Sequence, residues 1–344
     1  MKLATIKNGT RDGRLAIVSK GLTLAVFADD IAPTLLSAIE DWASVESPLR
    51  SRAETLNAGR ASGSFAFDPA QAMAPLPRCY QWLDGSTFAN HGALMERAFD
   101  LGITNEYEKY PLVYQGASDD FIGPRDDVEL TTESDNMDFE GEVAVVVDEV
   151  PMGTAKEKVA AHIKLMMLVN DVSLRNLIPA ELAKNFGFFQ SKPASSFSPV
   201  AVTPDELGVA WSEGKVHLPL HVELNGARFG APNAGEDMTF SFPQLIAHAA
   251  KTRALCAGSI VGSGTVSNKD YSRGSCCIAE RRTLEQLDQG QPRTPFMKFG
   301  DRVKIEMFAG DGASIFGAID QQVTSSKRQR KSADEIPASM EQDA

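Results

Sequence analysis

The sequence predicts a mixed α+β protein, mainly β, with a small N-terminal α/β domain ahead of a larger β-rich unit. Three observations predict it. Residues 1 to about 28 break into short apolar runs, LATIKNG, GRLAIVSKG and LTLAVF, with turn signals at Asn8-Gly9 and Asp12-Gly13. Residues 32–59 then carry Leu35, Leu36, Ile39, Trp42 and Ala43 at helical spacing, which predicts one or two helices. Beyond the proline-bearing stretch FDPAQAMAPLPR, β-like runs recur without the regular βαβ alternation of a doubly wound sheet.

Those signals divide the chain into an N-terminal domain over 1–75, a main unit over 76–324 and a tail over 325–344. In the main unit, strands are predicted at 140–148, 216–224, 259–263 and 302–308, and helices at 154–167 and 241–252. Ser241 caps the second helix ahead of Phe242-Pro243. The tail SSKRQRKSADEIPASMEQDA lacks apolar periodicity and reads as disordered.

Hydrophobic residues at 43% and charged residues at 23% are those of a chain with a sizeable core, so general disorder is excluded. The net charge of −12 argues against nucleic acid or an anionic membrane surface as the main partner, since both need a basic face. No apolar run reaches the ~18 residues of a membrane span, and the N-terminus does not read as a signal peptide. Cys79, Cys256, Cys276 and Cys277 include an adjacent pair and no CxxC, which suits a reducing cytoplasm.

The chemistry-bearing candidates are acidic. In Asp138-Phe-Glu140-Gly-Glu142-Val-Ala-Val-Val-Val, the residues after Glu142 form a β-branched, apolar strand. Glu140 and Glu142 therefore share one face. Two like charges at a buried strand mouth need neutralising, and a divalent cation does so with carboxylate oxygen; a hydrated edge accommodates the same pair equally well. Asp171 ends the apolar run MMLVND, with Arg175 four residues on, where a shared helical turn or a surface ion pair are the two readings. Asp84 and His91 lie seven apart, on one face if helical; His91 alone reads as a structural histidine or a base. GSGTVSNKDYSRGSCCIAE adds a Gly-rich loop with Thr265 and Glu280, without P-loop spacing.

Taken together and in order, these residues resemble the fumarylacetoacetate hydrolase family from about 78 to about 322. Asp84 and His91 match its aspartate and catalytic histidine, Glu140 and Glu142 its ExE strand, and Asn170 to Arg175 its N-D-x-S-x-R segment. Lys192 to Pro199 matches its lysine segment, Gly262 to Ser267 its G-S-G-T-V-S, and Glu280 its downstream glutamate. Three features depart from the pattern. Ile178 stands where the family often has glutamine, with Gln190 or Glu181 as substitutes; Gly116 is followed by Ala117 rather than arginine; two extra residues precede Glu280.

The resemblance implies a β-roll-like catalytic domain, a homodimer, and a Mg²⁺, Ca²⁺ or Mn²⁺ ion held by Asp84, Glu140, Glu142 and Asp171. It implies His91 as base oriented by Glu280, Arg175 and Lys192 as stabilisers of developing negative charge, and Tyr114 and Thr265 as substrate contacts. The expected activity is hydrolysis of a carbon–carbon bond in a 1,3-diketo acid, first of all fumarylacetoacetate in aromatic amino acid degradation. The alternatives are an acylpyruvate hydrolase, a 2-oxo acid decarboxylase or isomerase on the same scaffold, and a non-catalytic binding protein.

Overall fold

The computed structural model describes residues 1–99 and 109–326; most of the tail expected to be disordered lies outside them. The N-terminal strands β1 (Lys2–Ile6), β2 (Arg14–Val18) and β3 (Leu24–Phe27) form where predicted, followed by α1 (Leu35–Glu40) and α2 (Trp42–Asn57). Thr34 and Ser37 close a capping box at the start of α1. Leu35, Ile39, Trp42, Val45 and Leu49 face the sheet and bury against Leu3, Leu15 and Ile17, so the helical spacing read from the sequence is the core-facing stripe.

Next come β4 (Phe65–Ala66), β5 (Trp82–Ser86), α3 (Ala89–Phe99), β6 (Leu112–Gly116), β7 (Val128–Leu130), β8 (Met137–Asp138) and β9 (Gly141–Val147). After α4 (Lys156–Val159) the chain continues through β10 (Ile163–Asn170), β11 (Ser173–Leu174), α5 (Ile178–Leu182), β12 (Ser196–Phe197) and β13 (Ala201–Val202). The last part comprises β14 (Trp211–Ser212), β15 (Lys215–Val216), β16 (Leu220–Leu224), β17 (Ala227–Gly230), α6 (Phe242–Ala249), β18 (Ile260–Gly262), α7 (Ile278–Gln289), β19 (Arg302–Met307) and β20 (Ile319–Ser325).

An 11-stranded sheet runs β4-β3-β2-β1-β13-β10-β9-β18-β5-β6, with β12 joined to β10. The N-terminal strands thus continue the sheet of the main unit, through β1 against β13. A second, five-stranded sheet runs β17-β16-β19-β20-β7. The fold is mixed α+β and mainly β, as expected from the sequence.

Two element expectations need correction. The helix predicted at 154–167 is only the short α4 and a 3₁₀ turn; Ile163 onward is strand. The run KLMMLVN looked helical because it is apolar at consecutive positions. Here alternate side chains enter two different cores: Met166 and Leu168 pack with Val143, Val145 and Val147 on one face, Leu165, Met167 and Val169 with Ala144 and Val146 on the other. A strand buried on both faces carries no alternation to read. The predicted strand 216–224 is broken between Val216 and Leu220, a gap that contains Pro219.

Candidate active site

Six segments converge at one end of the central strands. β18 lies parallel to β5, with Gly262 beside Asp84, and antiparallel to β9. β9 pairs with β10 so that Glu142 is opposite Val169, which brings Asp171, just beyond β10, towards the same point. α3 and α7 supply His91 and Glu280 in their first turns.

Asp84, Glu142 and Asp171 are all buried, and each offers an oxygen within 4.8 Å of the others. Asp171 is well served: Ser195 Oγ donates to Oδ1 at 2.7 Å, and Lys192 Nζ at 2.6 Å and the Tyr114 hydroxyl at 2.5 Å donate to Oδ2. Glu142 is not. Both of its carboxyl oxygens are buried with no hydrogen-bond partner among the described residues, as is Thr265 Oγ1 nearby in sequence to Gly262 and Gly264. Burial, then the charge of Asp171, pushes the Asp84 carboxyl up to about 8, and burial with Asp84 and Asp171 drives Glu142 well above the carboxylate range. Lys192 pairs with Asp171, and the two raised carboxyls beside it are favoured in the protonated form. Hard oxygen donors of this kind, two of them orphaned, fit a divalent cation.

Glu140, expected as a fourth ligand, sits beside this cluster with its oxygens already engaged. Arg175 Nη2 donates to Oε1 at 2.7 Å and Lys192 Nζ to Oε2 at 2.6 Å. Burial pushes Glu140 up, yet Lys192 and Arg175 outweigh it and hold the group below its ordinary value. His91 Nδ1 meets Glu280 Oε1 at 2.7 Å, and its Nε2 lies 3.8 Å from Glu140 Oε1. His91, Glu280 and the carboxylate cluster therefore share one wall.

Local geometry differs from the sequence reading at two places. Asp84 and His91 do not share a helix: Asp84 is on β5, and the chain turns before α3 delivers His91. Asp171 and Arg175 are separated by β11 rather than joined by a helical turn, and they do not pair. Arg175 instead reaches back to Asp138, with Nε at 2.9 Å from Oδ2. Tyr114, on β6, spends its hydroxyl on Asp171, and its ring stands edge-on to Phe188 with centroids 5.2 Å apart.

The position of the family glutamine is apolar in fact as well as in sequence, since Ile178 is buried on α5. Glu181 does not replace it. Its carboxylate accepts the N–H groups of Phe189, Gln190 and Ser191 and the Ser191 hydroxyl, clamping the loop that leads into Lys192. Gln190 is exposed.

Glycine explains the Gly-rich segment. A Cβ on Gly262 would lie 2.4 Å from Asp84 Oδ1, and one on Gly264, at φ +75°, 2.2 Å from the Gly85 carbonyl oxygen. Side chains are excluded so that this backbone can press against Asp84, whose Oδ1 accepts the Gly264 N–H at 3.2 Å.

Sequence reasoning missed three residues. Asp138 continues the two-residue alternation of Glu140 and Glu142, which is the signal that marks it in the sequence. Ser195, which orients Asp171 and accepts the Trp82 indole N–H at 3.1 Å, gave no signal beyond lying in the lysine segment. Ser173, which accepts from Lys192 at 2.9 Å, lay inside the matched N-D-x-S-x-R motif. Two surface cavities, of about 400 and 350 Å³, lie around Arg282 and Phe296 on α7 and the following loop, and none of the site carboxylates lines them.

Comparison with known proteins gives the same picture. Residues 81–324 match the family model described as fumarylacetoacetate hydrolase C-terminal, and residues 1–78 match fumarylacetoacetase N-terminal domain 2. A 2,4-didehydro-3-deoxy-L-rhamnonate hydrolase of Sphingomonas sp. is 29% identical over 45% of this chain and 52% of its own length. An oxaloacetate tautomerase of Bacillus subtilis is 26% identical over 60% of this chain and 65% of its own. The chain thus spans between half and two thirds of these relatives. The solved maleylpyruvate hydrolase of Sphingobium sp. SYK-6, in complex with manganese(II) and pyruvate, superposes with a TM-score of 0.64 at 16% identity, over 95% of this chain and 100% of that one.

Proposed function

The chain belongs to the fumarylacetoacetate hydrolase family, and we propose that within it the protein is a metal-dependent hydrolase cleaving a carbon–carbon bond in a 1,3-diketo acid. Fumarylacetoacetate, split to fumarate and acetoacetate in aromatic amino acid breakdown, is the substrate of first choice. The observation that carries the reading is the His91–Glu280 pair at 2.7 Å against the wall of a carboxylate cage. A decarboxylase of 2-oxo acids needs a metal and an enolate site but no water-activating base; an oriented pair of this kind is what hydrolysis adds.

Asp84, Glu142 and Asp171 would hold the cation, with Glu140 as the fourth carboxylate of the set. When bound, a Mg²⁺, Ca²⁺ or Mn²⁺ ion supplies Lewis acidity towards the oxygens of the diketone. The protein's own groups supply the rest. Glu280 holds the Nδ1–H tautomer of His91, leaving Nε2 to take a proton from water. Hydroxide adds to the carbonyl carbon, and Lys192 and Arg175 are the cations available to the oxyanion. The carbon–carbon bond then breaks, its electron pair stays with the departing enolate, and that carbon regains the proton from His91. One water is consumed, and an acid and a keto acid leave. Thr265, whose hydroxyl has no partner among the described residues, and Tyr114 are the substrate contacts in this reading. The working assembly is a cytoplasmic homodimer.

The test is His91→Ala. It retains Mn²⁺ binding in calorimetry and loses about 10²–10⁴-fold in hydrolysis of the diketo acid, followed by its ultraviolet absorbance; unchanged turnover overturns the assignment. A second reading, an acylpyruvate hydrolase or a 2-oxo acid tautomerase, isomerase or decarboxylase, is supported by the likeness to the oxaloacetate tautomerase. Fumarylacetoacetate, fumarylpyruvate and oxaloacetate assayed side by side separate the two.

A further inference from the structure

One fully buried carboxylate belongs neither to the cation cage nor to the His91–Glu280 pair. Asp138, at the end of β8, receives three hydrogen bonds and an ion-pair contact from two directions. From the first turn of α7, Ile278 N–H donates to Oδ1 at 2.7 Å and Ala279 N–H to Oδ2 at 2.9 Å. From the segment after β11, Arg175 contributes Nε at 2.9 Å and Nη2 at 2.8 Å, both to Oδ2. The same Nη2 continues to Glu140 Oε1 at 2.7 Å.

The first amides of a helix have no partner within it, and an acid placed there is favoured by the helix dipole. The local cap of α7 is weak: Cys277 Sγ accepts only from Glu280 N, at 3.5 Å, and sulfur is a poor acceptor. A distant strand therefore does the capping. The next residue after Ala279 is Glu280, which orients His91. Asp138 is thus a strut between two arms of the site, one ending in Glu280 and His91, the other in Arg175 and Glu140.

We propose that Asp138 is a positioning residue for the hydrolytic step, fixing the His91–Glu280 pair relative to Arg175 and Glu140. The inference rests on the reading of His91 as the base. It touches neither substrate nor cation; it acts through the start of α7. A shift of about 1 Å in such a pair is enough for a loss of about 10²-fold in rate.

Asp138→Asn keeps the size of the side chain but turns an amide nitrogen towards donors. The expected result is a kcat lower by about 10²-fold with KM and Mn²⁺ affinity unchanged, since Asp138 is outside the three-carboxylate cluster. Combined with Glu280→Gln, the double variant is no slower than Glu280→Gln alone, because both act through one pair. Additive losses, or a fall in Mn²⁺ affinity that accounts for the rate, overturn the proposal. The downfield Nδ1 proton of His91 in the NMR spectrum moves or vanishes in Asp138→Asn; an unmoved resonance also overturns it. If the variant does not fold, hydrogen exchange on the wild-type protein decides: the Ile278 and Ala279 amides must be protected, although first-turn amides ordinarily exchange freely. Free exchange there refutes the strut. A wild-type protein that tautomerises oxaloacetate but hydrolyses no diketo acid sinks the hydrolase reading instead, while the resonance and exchange measurements still judge Asp138.

Discussion

Replacing Lys192 by methionine separates the electrostatic role of that residue from its chemical one. Its ammonium is buried and holds Glu140 and Asp171, each at 2.6 Å, with Ser173 Oγ at 2.9 Å. At an effective dielectric of about 20, each such pair has a gross Coulomb energy of roughly 6 kcal/mol, most of it offset by taking three ions out of water. Methionine has a similar shape but leaves the two carboxylates without their shared counterion. Removing one partner of a buried pair costs about 3–5 kcal/mol. For a chain of this size the melting temperature of the metal-free protein should fall by roughly 4–7 °C. Adding Mn²⁺ puts positive charge beside Asp171 and restores part of that loss, so the gap between variant and wild type narrows in the metal-loaded state. Turnover falls separately, by about 10²–10³-fold, because a donor to the oxyanion is gone. Scanning calorimetry with and without Mn²⁺, together with the diketo-acid assay, reads all three. An unchanged melting temperature without metal, or a gap that does not narrow with it, would refute the account of the site as a cluster short of positive charge.

Other outcomes follow from the same geometry. Glu280→Gln should slow diketo-acid hydrolysis by about 10²–10⁴-fold while leaving Mn²⁺ binding intact; full hydrolysis in this variant would refute Glu280 as the group that orients the base. Asp84→Asn should weaken Mn²⁺ binding by at least ~10²-fold in calorimetry, exceeding the usual effect of an outer-shell change. Because Asp84 is raised to about 8 and Glu142 is raised too, the folded metal-free protein holds more protons than the unfolded chain between the ordinary carboxylate range and about pH 8. The metal-free protein should therefore lose stability as pH rises through that window. Mn²⁺ replaces those protons, so its affinity should climb with pH and its binding should release protons, measurable in buffers of different ionisation enthalpy. A pH-independent affinity would contradict the protonated cluster.

The carboxylate strand was legible because β-periodicity is local: Glu140, Glu142 and the valines that follow declare a strand and a face without reference to the rest of the chain. Spacing misled where it was converted to geometry through an assumed helix. Seven residues from Asp84 to His91 and four from Asp171 to Arg175 both cross from strand into other structure, so neither pair stacks as helical turns would. Family order nonetheless singled out His91 and Arg175, which the fold places beside Glu280 and Glu140. What no local signal held was partner choice. That Arg175 serves Asp138 and Glu140, that Ser195 braces Asp171, and that Glu181 clamps a loop are tertiary facts, set by which strands pair. The same holds for β10, whose two cores erased the alternation that would have marked it as a strand.

Gly262 offers no ligand atom, yet the space it leaves empty decides where Asp84 can stand. A methyl group there would meet the Asp84 carboxylate and the Trp82 ring at the same moment, both 2.4 Å away. In a mutational survey this position would score with the carboxylates it abuts, although a search for donor atoms would pass over it. Tolerance to substitution around the site is governed as much by vacant volume as by chemistry, and an engineer who wishes to loosen the grip on the ion without touching a carboxylate has a place to begin.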